Sequence, residues 1–155
     1  MISPPGRGRE PSERLRDLLR EIGTATEPDP ALAPEQQLRS AMHAYFDVVE
    51  RNAGAYRELY RDALSTDPGL QEFVEEALHR QAERLFALLA PDVRAREMVR
   101  LVVHGWFRFL IDACLRWLET RPVDRDALCD VLVDTLFSAV ASATRAAAPD
   151  DWDDR

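Results

Sequence analysis

The stretch MVRLVVHGWFRFLIDACLRWLET (residues 98–120) decides the fold. Its apolar residues, Val99, Val102, Val103, Trp106, Phe107, Leu110, Ile111, Cys114, Trp117 and Leu118, recur at helical spacing and nearly circle the helix axis. A helix that is apolar on one stripe packs on one layer. A helix apolar around most of its circumference has to be covered on two sides. Arg121-Pro122 stops this helix, and Asp124 is placed to cap the next one. That next helix carries Leu128, Val131, Leu132, Val133, Leu136, Phe137 and Val140 and is also apolar on more than one side. So short a turn allows only an antiparallel hairpin. One side of the hairpin faces the chain's own core. The other is covered either by the preceding helices or by a second copy, two hairpins then forming a four-helix bundle about a two-fold axis. The pattern favours the homodimer, with Trp117, Leu128, Leu132, Leu136 and Val140 expected at the interface.

Upstream of the hairpin the chain reads as more helices. Residues 1–11 are rich in Pro, Gly and Arg and are expected to be disordered. Ser12 is a plausible N-cap for a helix carrying Leu15, Leu18, Leu19 and Ile22, with Gly23 as its stop. Residues 24–33 hold two prolines and read as a linker, so that 12–33 is expected to be a connecting helix and linker. Pro34 suits the first turn of a helix striped with Leu38, Met42, Tyr45, Phe46 and Val49. Asn52 and Gly54 break it, and Tyr56, Leu59, Tyr60, Ala63 and Leu64 mark a short third helix. Asp67 before Pro68 caps a fourth, with Leu70, Phe73, Ala77, Leu78, Leu85, Leu88 and Leu89 as its stripe. Glu75, Glu76, Arg80, Glu83 and Arg84 are assigned to its charged outer face. The long fifth helix begins near Asp92, and residues 149–155 form an acidic tail. No segment alternates with period two for long enough to be a strand. The expected fold is all-α, a five to six helix orthogonal bundle.

Composition narrows the function. The chain has 155 residues with 20 basic and 28 acidic side chains, a net charge of -8, and every basic residue is Arg. So acidic a polypeptide repels phosphate backbones and is a poor nucleic-acid binder by itself. Two cysteines are not a disulfide framework. The N-terminus lacks the apolar core of a signal peptide, and no run approaches 18 consecutive apolar residues; a cytoplasmic protein with no membrane partner is expected.

Catalytic constellations are sparse. There is no Gly-rich phosphate loop, no nucleophile elbow and no HExxH pair. Glu76 and His79 have the spacing of one di-iron ligand pair, but such a centre needs two. His104, Arg108, Asp112 and Arg116 step by four along the fifth helix and read as its solvated stripe, with Arg108 and Asp112 within pairing reach. Alternatively His104 or Arg108 points into a cavity and orients a ligand. Cys114 and Cys129 lie at similar distances from the hairpin turn and read as buried thiols, a redox pair being the other option. The aromatics, Tyr45, Phe46, Tyr56, Tyr60, Phe73, Phe86, Trp106, Phe107 and Trp117, are mostly core, though a ligand cavity would be lined by the same residue types. No enzyme activity, metal or cofactor is expected.

Several segments together resemble a known family. YFDVVERN (45–52), AYRELYR (55–61) and DPGL (67–70) resemble the start of the C-terminal regulatory domain of the tetracycline-repressor (TetR) family. HGWFRF (104–109), RWLE (116–119) and VDRDAL (123–128) resemble its dimerisation hairpin. The resemblance implies a regulatory domain over 34–148 that binds a small effector among its middle helices and dimerises through its last two. It implies an apolar or amphipathic effector, and Tyr45, Tyr60, Phe73, His104 and Phe107 are the expected contacts. The family carries a helix-turn-helix head before this domain. Only about 33 residues precede Pro34, so operator DNA is expected as a partner only through a further N-terminal segment. The alternatives are a headless helical adaptor or dominant-negative dimerisation partner without ligand, and, further off, a small helical enzyme.

Overall fold

The computed structural model describes residues 11–62 and 66–148, and among these it is all-α. The helices are α1 (Pro11–Ala25), α2 (Pro34–Arg51), α3 (Ala53–Arg57), α4 (Pro68–Leu89), α5 (Arg96–Thr120) and α6 (Arg125–Ala146). A π-helical turn, Glu58–Asp62, continues α3, and a 3₁₀ turn, Val93–Ala95, leads into α5. The expected disorder of the N-terminus and the acidic tail falls on residues 1–10 and 149–155, outside the described residues, as do Ala63 and Leu64.

The cap chemistry is what the sequence led us to expect, with two exceptions: Ser12, expected as the N-cap of α1, lies inside that helix, and Gly23 does not end it. Asp67 accepts from the Leu70 amide at 3.0 Å at the start of α4. Asp124 accepts from the Asp126 and Ala127 amides at 3.2 and 3.4 Å at the start of α6. Both satisfy amides that a helix N-terminus leaves without partners. α1 continues through Gly23. Among the described residues no glycine has positive φ, so Gly23 is an ordinary helical residue and α1 runs on to Ala25. Thr26 closes it, sending both its amide (3.0 Å) and its hydroxyl (2.8 Å) to the Ile22 carbonyl.

Two clusters make the interior. The larger joins α2, α3, α5 and α6 around Phe46, Tyr56, Val99, Leu132 and Leu136, all 0% exposed. The smaller joins α1, the π turn and α4 through Leu15, Leu19, Leu59, Leu70 and Val74. Thus α1 is not a loose connector: it packs on both α2 and α4.

The hairpin of α5 and α6 is covered on two sides, but by its own chain. α4 lies on α5, and α2 lies on α6. Of the residues expected at an interface, Trp117 (5% exposed), Leu132 and Leu136 (both 0%) are buried within the chain's own core. Leu128 and Val140 are partly buried against the same core. The apolar side chains that remain exposed on the hairpin are others, chiefly Leu101 (71%), Phe109 (44%) and Val131 (56%). An ion-pair seam ties α2 to α6: Arg39 meets Asp130 and Asp134, and Arg125 meets Asp47 and Glu50. By length and composition α6 would suffice to cross a membrane, although no run of 18 apolar residues exists in it. Its Asp130 and Asp134 lie in the ion-pair seam, and Cys129, Leu132, Val133 and Leu136 are buried in the core.

Candidate ligand-binding cavity

α1, α2, α4 and α5 meet around a cavity of about 100 Å³. Helical periodicity builds its walls. α2 contributes Leu38, Ala41, Met42 and Tyr45, a stripe at spacings of three and four. α4 contributes Ala77, Leu78, Gln81, Arg84, Leu85 and Leu88 on the same principle. Leu19 and Ile22 come from α1, and Trp106, Phe107, Leu110 and Ile111 from α5. Thr26 and Pro28 border it from the α1–α2 connection, and Tyr60 enters from the π turn. The lining is mostly apolar with a few polar groups, the composition expected of a small-molecule site.

Three of the five expected contacts, Tyr45, Tyr60 and Phe107, line this cavity. Phe73 and His104 lie outside it. Phe73 lies beneath the guanidiniums of Arg16 and Arg20, 5.2 and 5.3 Å from its ring centre, and packs on the smaller cluster. His104 is exposed, in a surface depression shared with Glu75, His79 and Arg108. The expected Arg108–Asp112 contact is also replaced. Arg108 reaches Glu75 on α4 at 2.8 Å, and Asp112 takes Arg116 at 2.8 Å. Glu76 pairs with Arg80 at 3.2 Å.

Sequence reasoning missed Arg84, placing it on the outer face of α4. It lines the cavity instead, and its Nη1 donates to the Gly23 carbonyl at the end of α1 at 3.1 Å. Its Nη2 is buried without a hydrogen-bond partner. The signal was present in the spacing. Arg84 lies seven residues after Ala77, two turns on, and so shares its face. Gln37 was missed as well. It is buried (9% exposed), lines the cavity, and donates Nε2 to the Leu32 carbonyl at 2.7 Å.

All three tyrosines of the chain gather at one side of this site. The Tyr45 and Tyr56 hydroxyls are hydrogen-bonded to each other, and the Tyr56 and Tyr60 rings lie 4.9 Å apart. Burial pushes all three phenols above their usual range, so they are neutral donors and acceptors. Burial likewise pushes the free thiols of Cys114 and Cys129 up to about 12 and about 11. A thiol so raised holds its proton at neutral pH and is a poor nucleophile.

The bundle and its cavity agree with what the chain matches. Residues 34–139 match the tetracyclin repressor-like, C-terminal domain, and the chain belongs to that family of transcriptional-regulator domains. The chain is also similar to the HTH-type transcriptional activator FasR of Mycolicibacterium smegmatis, 28% identical over 108 residues. That alignment covers 68% of this chain and 49% of FasR, so the chain spans about half the length of this relative. No solved structure matches it.

Proposed function

We propose that this chain is the effector-binding and dimerising part of a TetR-like transcriptional regulator. The observation that carries the reading is the apolar cavity lined by α1, α2, α4 and α5 in a chain of that family. A small apolar or amphipathic effector enters there, with Tyr45, Tyr60 and Phe107 among its contacts. Two copies associate through the outer face of the α5–α6 hairpin, where Leu101, Phe109 and Val131 remain exposed. No chemical step is involved. The effector acts by binding one dimer geometry more tightly than another, because a ligand with equal affinity for both shifts nothing. Operator contact is assigned to a helix-turn-helix outside residues 34–139, by analogy with FasR, an HTH-type activator.

A thermal-shift screen of small apolar and amphipathic compounds tests this, run in parallel on the wild type and on Ala77→Leu. Ala77 lines the cavity, and the larger side chain fills part of it. Ligands are expected to raise the melting temperature of the wild type and not of the variant. Equal shifts in both proteins would place binding elsewhere. A helical adaptor with no ligand predicts no shift in either.

A further inference from the structure

The cavity contains one feature its apolar lining does not explain. Arg84 is the lone cationic side chain among its lining residues. Among the described residues no carboxylate lies within ion-pair distance of it. One arm of the guanidinium is occupied: Nη1 donates to the Gly23 carbonyl, a favourable place for a cation because carbonyls at a helix C-terminus carry partial negative charge. The other arm is not, since Nη2 is shielded from solvent and has no acceptor. A buried donor without a partner is costly, and the cost is larger for a charged group. Several other arginines that reach between helices have a carboxylate opposite them, as Arg39, Arg100, Arg108 and Arg125 do, and Arg16, whose Nε is likewise buried without a partner, lies over the Phe73 ring. Arg84 differs from Arg16 in lining the cavity.

We propose that the cavity takes an amphipathic acid, its apolar body among the side chains of α2, α4 and α5 and its carboxylate on the free arm of Arg84. This rests on the reading of the cavity as an effector site and adds the chemistry of the head group. The volume limits the enclosed part. An apolar cavity of about 150 Å³ holds a benzene ring, so a cavity of about 100 Å³ accommodates a few carbons. A charge-assisted hydrogen bond to a carboxylate supplies what Nη2 lacks, and a neutral head group supplies it less well.

The test is calorimetric titration with hexanoate and octanoate against hexanamide and octanamide, at neutral pH, on the wild type, Arg84→Gln and Arg84→Lys. The acids are expected to bind the wild type at least about tenfold more tightly than the amides, a difference of about 1.4 kcal/mol. Arg84→Gln removes that preference while leaving the amides bound, and Arg84→Lys keeps part of it. Circular dichroism melts of each variant establish that it is folded. Amides and acids binding the wild type equally would overturn the head-group assignment and leave the effector cavity standing. A preference for acids that survives Arg84→Gln would overturn it too, by placing the anion elsewhere. Failure of all four compounds to bind would sink both the assignment and the cavity reading on which it rests.

Discussion

Trp106 lines the cavity and donates its indole Nε1 to the carbonyl of Leu132 on α6, at 2.9 Å. One side chain therefore touches both the candidate ligand site and the hairpin's second helix. Its ring also stands edge-on to Phe107, another lining residue, with centroids 5.3 Å apart. Any displacement of Trp106 by a ligand has to be accommodated by α6, because packed interiors deform in discrete steps.

Trp106→Phe removes that hydrogen bond and part of a 4%-exposed side chain. The expected loss is about 2 kcal/mol, of which the bond accounts for about 1. Urea unfolding followed by circular dichroism measures it. A change under about 0.5 kcal/mol, the range of ordinary surface substitutions, would mean that the bond does not couple α5 to α6.

Val131 and Leu132 are neighbours in sequence with opposite fates, 56% and 0% exposed. Val131→Arg is expected to leave the melting temperature of a dilute sample nearly unchanged and to weaken self-association. Leu132→Ala should cost about 2–5 kcal/mol through the cavity it leaves. Analytical ultracentrifugation of both, beside the wild type, separates interface from core. A wild type that stays monomeric throughout the micromolar range would refute the proposed dimer.

Ala90 ends α4 in the left-handed region, with φ 41° and ψ 56°, its amide bonded to the Phe86 carbonyl at 3.1 Å. A non-glycine residue there bears a steric cost of about 1–2 kcal/mol. Ala90→Gly removes it, less about 0.5–1 kcal/mol for the extra freedom of glycine in the unfolded chain. A net stabilisation of about 0.5–1 kcal/mol is expected in a denaturant melt. Arg121 has the same kind of backbone, φ 46°, but its side chain pairs with Glu50 at 2.8 Å and lies over Trp117. Arg121→Gly should gain little or nothing, and a gain as large as that of Ala90→Gly would show those contacts to be inert.

The buried phenols make the fold alkali-sensitive. Tyr45, Tyr56 and Tyr60 all ionise less readily in the folded protein than at the ordinary value of 10.0. Below that value both states hold the proton and the stabilisation is fully present. Above it the unfolded chain releases protons that the folded chain retains, so stability falls as pH rises. Each such group contributes a slope of about 1.4 kcal/mol per pH unit in that window. The raised thiols start the decline one unit earlier, from 9.0. The absorbance of tyrosinate should appear only together with the loss of helical circular dichroism. Tyrosinate forming in a chain that stays fully helical would contradict the burial of this cluster. Tyr56→Phe should flatten the decline.

Much of the architecture was legible in one dimension. The helices, the caps at Asp67 and Asp124, the turn at Arg121-Pro122 and the hairpin follow from apolar spacing and local side-chain chemistry, which act over a few residues. The fate of the hairpin's second face did not. A continuous apolar circumference says that a face is covered and not by what. α2 and α4 turned out to supply most of the cover. Tyr45, Tyr60 and Phe107 line the cavity, but nothing in their spacing separated them from the aromatics that are plain core. The stripe of His104, Arg108, Asp112 and Arg116 was legible as a solvated face, because a step of four residues rotates slowly, and all four are exposed.

The sequence by itself determined the class of fold, because helical period and capping are local properties of the chain, and it determined the family. Only the tertiary structure decided which side chains face the cavity and which charges are answered there. Arg84 shows the difference. Its type and its helical position were readable. Its single occupied arm, bonded to Gly23 some 61 residues earlier, exists only because α1 and α4 pack side by side.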